Sequence, residues 1–177
     1  MAESKTKYYT FTGRAFWAKL YEPDEFRGAV RWSVNLYLDD ETEWAKFKES
    51  GIQKTVKEGP DGKYFQLYRP TTKAMGARMV RFTPPIVYDK NGEALVKYVD
   101  SNNQIIRSYE DPNFKFVRVG EPVLIGNGSK IKVNVSVYPT QMGPGNRLES
   151  IQIVDLIEYK RPEEPVAPTK KDDEIPW

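Results

Sequence analysis

The chain has 177 residues, 27 lysines and arginines against 25 acids, and neither histidine nor cysteine. That length suits one domain with a real core, and 39% hydrophobic with 13% aromatic residues favours a folded chain. The two zeros exclude disulfides, thiol nucleophiles, zinc ribbons, Ser–His–Asp triads and HExxH metal sites, and with them most familiar enzyme classes.

Met1 to Lys7 is polar, and no apolar run approaches the roughly 20 residues of a membrane-spanning helix. The expectation is a soluble intracellular protein with no membrane partner. Tyr8 to Leu20, rich in β-branched and aromatic residues, reads as a strand, with Gly13 suggesting a bulge. Val30 to Leu38 alternates, with Val30, Trp32, Val34, Leu36 and Leu38 on one face and Arg31, Ser33, Asn35 and Tyr37 on the other. A helix follows. Asp40 can cap it, Glu43 completes a capping-box-like start, Trp44 and Phe47 share a face, and Gly51 is a good stop.

Pro60-Asp61-Gly62 signals a turn before a strand from Lys63 to Arg69, and Arg78 to Phe82 reads as another strand. Asp89-Lys90-Asn91-Gly92 reads as a hairpin turn between Ile86–Tyr88 and Glu93–Val96, with Asn-Gly at the tip favouring type I′. Asn102 to Asn113 is polar and turn-rich and carries no periodic pattern. Gly126-Asn127-Gly128-Ser129 precedes a strand, not a helix, so it lacks the helix N-terminus of a phosphate cradle and reads as a tight turn. Ile131 to Tyr138 alternates, and Gly143-Pro144-Gly145-Asn146 is expected to turn into a last strand, Arg147 to Tyr159. Five or more strands around one early helix point to a mainly β fold: an OB-fold-like five-stranded Greek-key barrel with extra hairpins, or alternatively a β-sandwich.

After Lys160 the composition changes. Pro162, Pro165 and Pro168 mark an extended, disordered linker, which leads to Asp172-Asp173-Glu174-Ile175-Pro176-Trp177. The expected division is a domain over 1–160 and an acidic tail over 161–177. Residues 162–177 hold five acids against two lysines, a net −3, which leaves +5 on residues 1–161. A basic body calls for an anionic partner, and the acidic tail for a different one. An Ile-Pro-Trp plug behind a run of acids fits an apolar pocket ringed by basic residues on another protein.

Single-stranded nucleic acid offers bases to stack and phosphates to neutralise, so a non-specific binder needs aromatic and basic side chains on one surface. Three segments supply them: Arg31 and Tyr37; Lys63, Tyr64, Tyr68 and Arg69; and Lys130, Lys132 and Tyr138. Lys73, Arg78 and Arg81 add basic density around Gly76, where a loop is free to close on a strand. Trp32, Phe65, Trp44 and Phe47 belong to the core, while Trp17 is open between core and base platform. The carboxylates Asp39, Asp40, Glu41 and Glu43 admit two readings. They hold Mg²⁺ for a nuclease, or they complement a helix N-terminus. The second is preferred, so no cofactor, metal or enzymatic activity is expected.

The tip resembles the C-terminus of bacterial single-stranded DNA-binding proteins, which ends Asp-Asp-Asp-Ile-Pro-Phe; Glu174 and Trp177 depart from it conservatively. The body resembles the phage-encoded single-stranded DNA-binding proteins of the T7-like and Enc34-like group. The likeness rests on Gly13-Arg14-Ala15-Phe16-Trp17-Ala18-Lys19-Leu20, Leu36-Tyr37-Leu38-Asp39-Asp40 and Ile125-Gly126-Asn127-Gly128-Ser129-Lys130-Ile131-Lys132-Val133. The resemblance implies an OB-fold that coats single-stranded DNA in replication, recombination and repair, in the cytoplasm of an infected bacterium. It also implies a tail that recruits a polymerase, helicase or exonuclease and competes with DNA for the basic groove. A homodimer is compatible with this. The rival readings are the metal-dependent nuclease and an adaptor that binds no nucleic acid and works through its tail.

Overall fold

The computed structural model describes residues 6–140 and 143–157. The first elements in chain order are β1 (Lys7–Phe26), β2 (Ala29–Tyr37), the helix α1 (Glu41–Ser50), β3 (Lys57–Gly59) and β4 (Gly62–Pro70). There follow β5 (Thr72–Met75), β6 (Arg78–Phe82), β7 (Ile86–Tyr88), β8 (Ala94–Val99), β9 (Ser108–Tyr109), β10 (Val117–Val119), β11 (Ser129–Thr140) and β12 (Gly143–Asp155). The chain is mainly β, with one helix among the described residues. Nine strands form a sheet in the order β10-β8-β7-β12-β11-β1-β2-β4-β3, and β5-β6-β9 form a second.

The central five strands, β4-β2-β1-β11-β12, carry the core on one face. Strand alternation turns Phe11 and Ala15 of β1, Val34 and Leu36 of β2, Phe65 and Leu67 of β4, and Ile131, Val133 and Val135 of β11 inward, and a bulge at Glu149 lets both Leu148 and Ile151 of β12 join them, all buried. Each such large side chain contributes about 1.5–3 kcal/mol by leaving water. Helix α1 covers part of this core, with Phe47 stacked on Phe65 at 4.3 Å and Trp44 edge-on to both. Trp32 belongs instead to a second cluster with Val80 and Phe82 of β6.

The sheet does not close into a barrel among the described residues. β7 pairs in parallel with β12 and β3 pairs with β4, so flanking strands occupy part of the edges a closing ladder would use. β4 and β12 are tied by a side chain instead. Arg69 Nη1 donates to the Leu148 carbonyl at 3.3 Å and to Glu149 Oε1 at 3.0 Å.

Several local expectations are revised. The register of β1 runs unbroken through Gly13, and the bulge falls at Trp17 and Ala18, which oppose Val34 alone. Gly13 serves close approach: a Cβ there would lie 2.2 Å from the Tyr37 carbonyl oxygen. Asp40 caps α1 by accepting from the Thr42 amide at 2.8 Å. Glu43 does not complete a capping box; it accepts from the Thr12 amide at 2.9 Å and so pins α1 to β1. In the Asp89–Gly92 turn only Gly92 has positive φ (85°), so the turn is not type I′. Asp89 Oδ1 accepts from the amides of Asn91 and Glu93 and sets the turn instead. Residues 143–146 do not form a turn: Gly143, Pro144, Gly145 and Asn146 pair in register with Thr140, Pro139, Tyr138 and Val137 as the start of β12.

Candidate nucleic-acid interface

The face of the central sheet turned away from the core is built by parity and register. Directly opposed residues share a face, so the ladders define rows. One row runs Lys130–Arg14–Tyr37–Tyr64–Lys57 across β11, β1, β2, β4 and β3. A second runs Lys19–Ser33–Tyr68, and a third places Arg31 opposite Pro70. Basic and aromatic side chains are thus interleaved on one surface.

The ring of Phe16, two residues beyond Arg14 on β1, joins Tyr37 and Tyr64 of the first row in a ladder with spacings of 4.6 and 4.8 Å. Arg14 lies 5.3 Å from the Tyr37 ring and grips Asp39 with two hydrogen bonds of 2.7 Å. That carboxylate raises the Arg14 guanidinium further above neutrality. Lys130 and Lys132 are exposed on this face, and Tyr64 is half-exposed; Lys63 is exposed too, but it opposes Glu58 and has the parity of Phe65 and Leu67, so it does not join the row as expected.

Tyr68 carries two cations. Arg31 Cζ lies 4.3 Å and Lys54 Nζ 3.8 Å from its ring centre, and Arg31 also donates to Gln66 Oε1 at 3.0 Å. Burial, with Arg31 beside it, pulls the Lys54 ammonium down to about 8. A second tyrosine is dressed the same way: Lys73 Nζ lies 4.1 Å and Arg147 Cζ 5.1 Å from the Tyr138 ring. This cluster sits in an open groove of about 980 Å³ whose lining includes Phe82, Tyr109 and Phe114. Burial, and then Arg147, lower the Lys73 ammonium as well.

Trp17 stands apart at the bulge. It is 65% exposed, which settles the choice between core and surface, and its φ of 53° is one that few residues but glycine adopt. Its amide donates to Asn127 Oδ1 at 2.8 Å, and the Gly128 amide donates to the Ala15 carbonyl at 2.8 Å. The Gly126–Ser129 turn therefore holds the bulge in place.

No family model and no curated protein matches the chain. Among solved structures it is similar to the crystal structure of gp2.5, a single-stranded DNA binding protein encoded by bacteriophage T7. The identity is 18% and the TM-score 0.48, covering 90% of this chain and 92% of that one.

Besides Lys63, four of the expected interface residues are placed differently by the structure. Arg69 is 2% exposed and follows the inward parity of Phe65 and Leu67. Its guanidinium is spent on the carbonyls of Thr83, Arg107 and Leu148 and on Glu149. It holds the fold, buried on the core side of the sheet. Tyr37 is outward by parity but buried, because Gly59 and Gly62 of the adjacent hairpin lie against its ring. Arg78 and Arg81 do not join Lys73. They turn to Glu110, Arg78 by an exposed ion pair of 3.0 Å and Arg81 by donating to its carbonyl at 2.8 Å. The segment around Gly76 is the tip of the β5–β6 hairpin rather than a loose loop.

The acidic cluster is committed to structure: Asp39 to Arg14, Asp40 to the helix cap, and Glu43 to Thr12 and Lys46. Among the described residues no group of three or more acids is placed to hold a metal ion. Likewise no helix among them is long and apolar enough to cross a membrane. The tail tip, Asp172 to Trp177, lies outside the described residues, as does the boundary at 160.

Sequence reasoning missed Lys54, Lys57, Arg14 and Arg147 as parts of this surface. Parity along β1 was enough to place Arg14 outward. Lys54 follows α1 in a segment without periodicity and carries no such signal.

Proposed function

We propose that this protein binds single-stranded DNA without sequence preference, through the outward face of an OB-fold-like sheet. The central strands supply the frame, and the observation that carries the reading is the set of rows on that face. They bring exposed Lys57 and Lys130, half-exposed Tyr64, and the Tyr68 cluster onto one continuous surface. Cations neutralise phosphates and aromatic faces accept any base, so such a surface reads no sequence. Trp17 and the Tyr138 groove extend the aromatic supply. The protein coats and protects single strands during replication, recombination and repair of phage DNA in the host cytoplasm, and acts without enzymatic chemistry.

Fluorescence titration with oligo-dT at two salt concentrations tests this. Binding is expected to weaken steeply with salt, since released counterions drive it, and to be indifferent to base sequence. Absence of binding at low salt would overturn the proposal. Adding Mg²⁺ or Mn²⁺ separates it from the nuclease reading: the strand is expected to be protected, not cut.

The domain over 1–160 does the binding, and the tail over 161–177 recruits a polymerase, helicase or exonuclease. Its sequence, five acids and a terminal Ile-Pro-Trp, supports this reading. Truncation before Asp172 is expected to abolish partner capture while DNA affinity holds or rises. A fall in DNA affinity would contradict competition between tail and DNA.

A further inference from the structure

The outward face does not end at β11. Beyond it the ladders add two strands: Thr12 opposes Lys132, Lys132 opposes Gln152 of β12, and Gln152 opposes Tyr88 of β7. The flanking row Phe11–Val133–Ile151–Val87 is fully buried, so this one points away from the core. Lys132 stands two residues from Lys130 on β11, which joins the row to that of Arg14 and Tyr64 without a break.

Tyr88 differs from the tyrosines already described. Tyr64 stacks on Tyr37, and Tyr68 and Tyr138 each carry two cations. Tyr88 is half-exposed, and among the described residues no ring or cation lies against it. Its strand is fixed between β12 and β8. Gln152 Nε2 donates to the Lys90 carbonyl at 3.2 Å and so ties the turn after Tyr88 to the same row. A ring held this way loses little freedom when a base lands on it. The turn sets Asp89 and Glu93 against Lys90, so its own charge does not attract a phosphate. Lys132 is exposed and makes no ion pair among the described residues.

We propose that Tyr88 is a stacking platform for one base of single-stranded DNA, with Lys132 the cation for a phosphate beside it, so that the bound strand runs past β11 on to β12 and β7. This rests on the DNA-binding reading and extends its site to a part of the sheet that reading leaves out. Stacking is the larger contribution here and charge the smaller, since one lysine serves the row.

The test joins photocrosslinking to titration. Full-length protein is irradiated with oligo-dT carrying 5-iodouracil, and the adducts are mapped by mass spectrometry; an adduct at Tyr88 is expected. Tyr88→Ala is expected to bind oligo-dT about 5- to 150-fold more weakly with its salt dependence unchanged. Tyr88→Phe should bind like wild type, because stacking needs the ring and not the hydroxyl. Lys132→Gln should make the logarithmic salt slope shallower by about 0.7. Adducts that avoid Tyr88, affinity unchanged in Tyr88→Ala, or an equal loss in Tyr88→Phe would overturn the platform and leave the DNA reading standing. A wild type that binds no oligo-dT at any salt overturns the DNA reading itself.

Discussion

Arg69→Ala is expected to destabilise the fold by about 3–5 kcal/mol, read as a lower urea midpoint, while leaving single-stranded DNA affinity unchanged in the fraction that remains folded. Arg69 is the largest fully buried side chain among the described residues, and its four hydrogen bonds run to three carbonyls and a carboxylate. Removing it leaves the Thr83, Leu148 and Arg107 carbonyls without that donor inside the protein. It also unties β4 from β12 where no ladder joins them. Burial pulls its guanidinium down to about 10, which still leaves it charged at neutral pH. Glu149 is the partner. Burial alone would raise its carboxyl, but the Ser136 hydroxyl, Arg69 and Arg147 outweigh that and hold it below the usual carboxylate range. A carboxyl lowered by folding stabilises at pH above its unfolded value and loses that contribution as pH falls through its folded one. Wild type should therefore lose stability in acid more steeply than Glu149→Gln. An Arg69→Ala variant with unchanged stability and lost DNA binding would put Arg69 on the interface instead.

That outcome also shows where the sequence was legible. Inward alternation of Val34 and Leu36 on β2, and of Phe65 and Leu67 on β4, was readable because a period of two survives any tertiary context. The same rule, carried two residues past Leu67, places Arg69 inside. Its charge argued the other way, and only the carbonyls waiting from three other segments make a buried arginine tolerable. Asp40 and Gly51 were readable as helix ends because capping is local chemistry. Glu43 was misread because its partner, the Thr12 amide, is 31 residues away. Tyr37 was outward by pattern and buried by a hairpin that no pattern within β2 announces. The short strands β3, β9 and β10 have two or three residues each, too short for any periodic signal, whereas β7, equally short, was marked by the turn that follows it. Of the candidate interface, the outward placing of Tyr64, Tyr68, Lys130 and Lys132 follows from parity, whereas Lys63 shares the parity of Phe65. The placing of Lys54 does not follow from it, since a residue in an aperiodic segment is placed only by the fold that brings it to Tyr68.

Trp17 offers the sharpest separation of function from stability. Trp17→Gly is expected to weaken single-stranded DNA binding by about 1–3 kcal/mol, roughly 5- to 150-fold. Its stability should hold or rise by up to about 1 kcal/mol. The two effects have opposite signs because they have different sources. A tryptophan at φ 53° carries strain that glycine does not, and this outweighs or balances the entropy glycine loses on folding. The side chain itself is 65% exposed, so its removal uncovers little of the core. What anchors the bulge is backbone: the Trp17 amide on Asn127 and the Ala15 carbonyl under Gly128, both of which survive the substitution. An exposed indole held in a strained conformation by two such tethers is maintained against its own local preference, and a flat aromatic face turned to solvent is what an unpaired base requires. Asn127→Ala should accordingly lower affinity with the tryptophan still present, because the bulge loses a tether. Loss of stability in Trp17→Gly with DNA affinity unchanged would make Trp17 a packing residue and remove it from the interface.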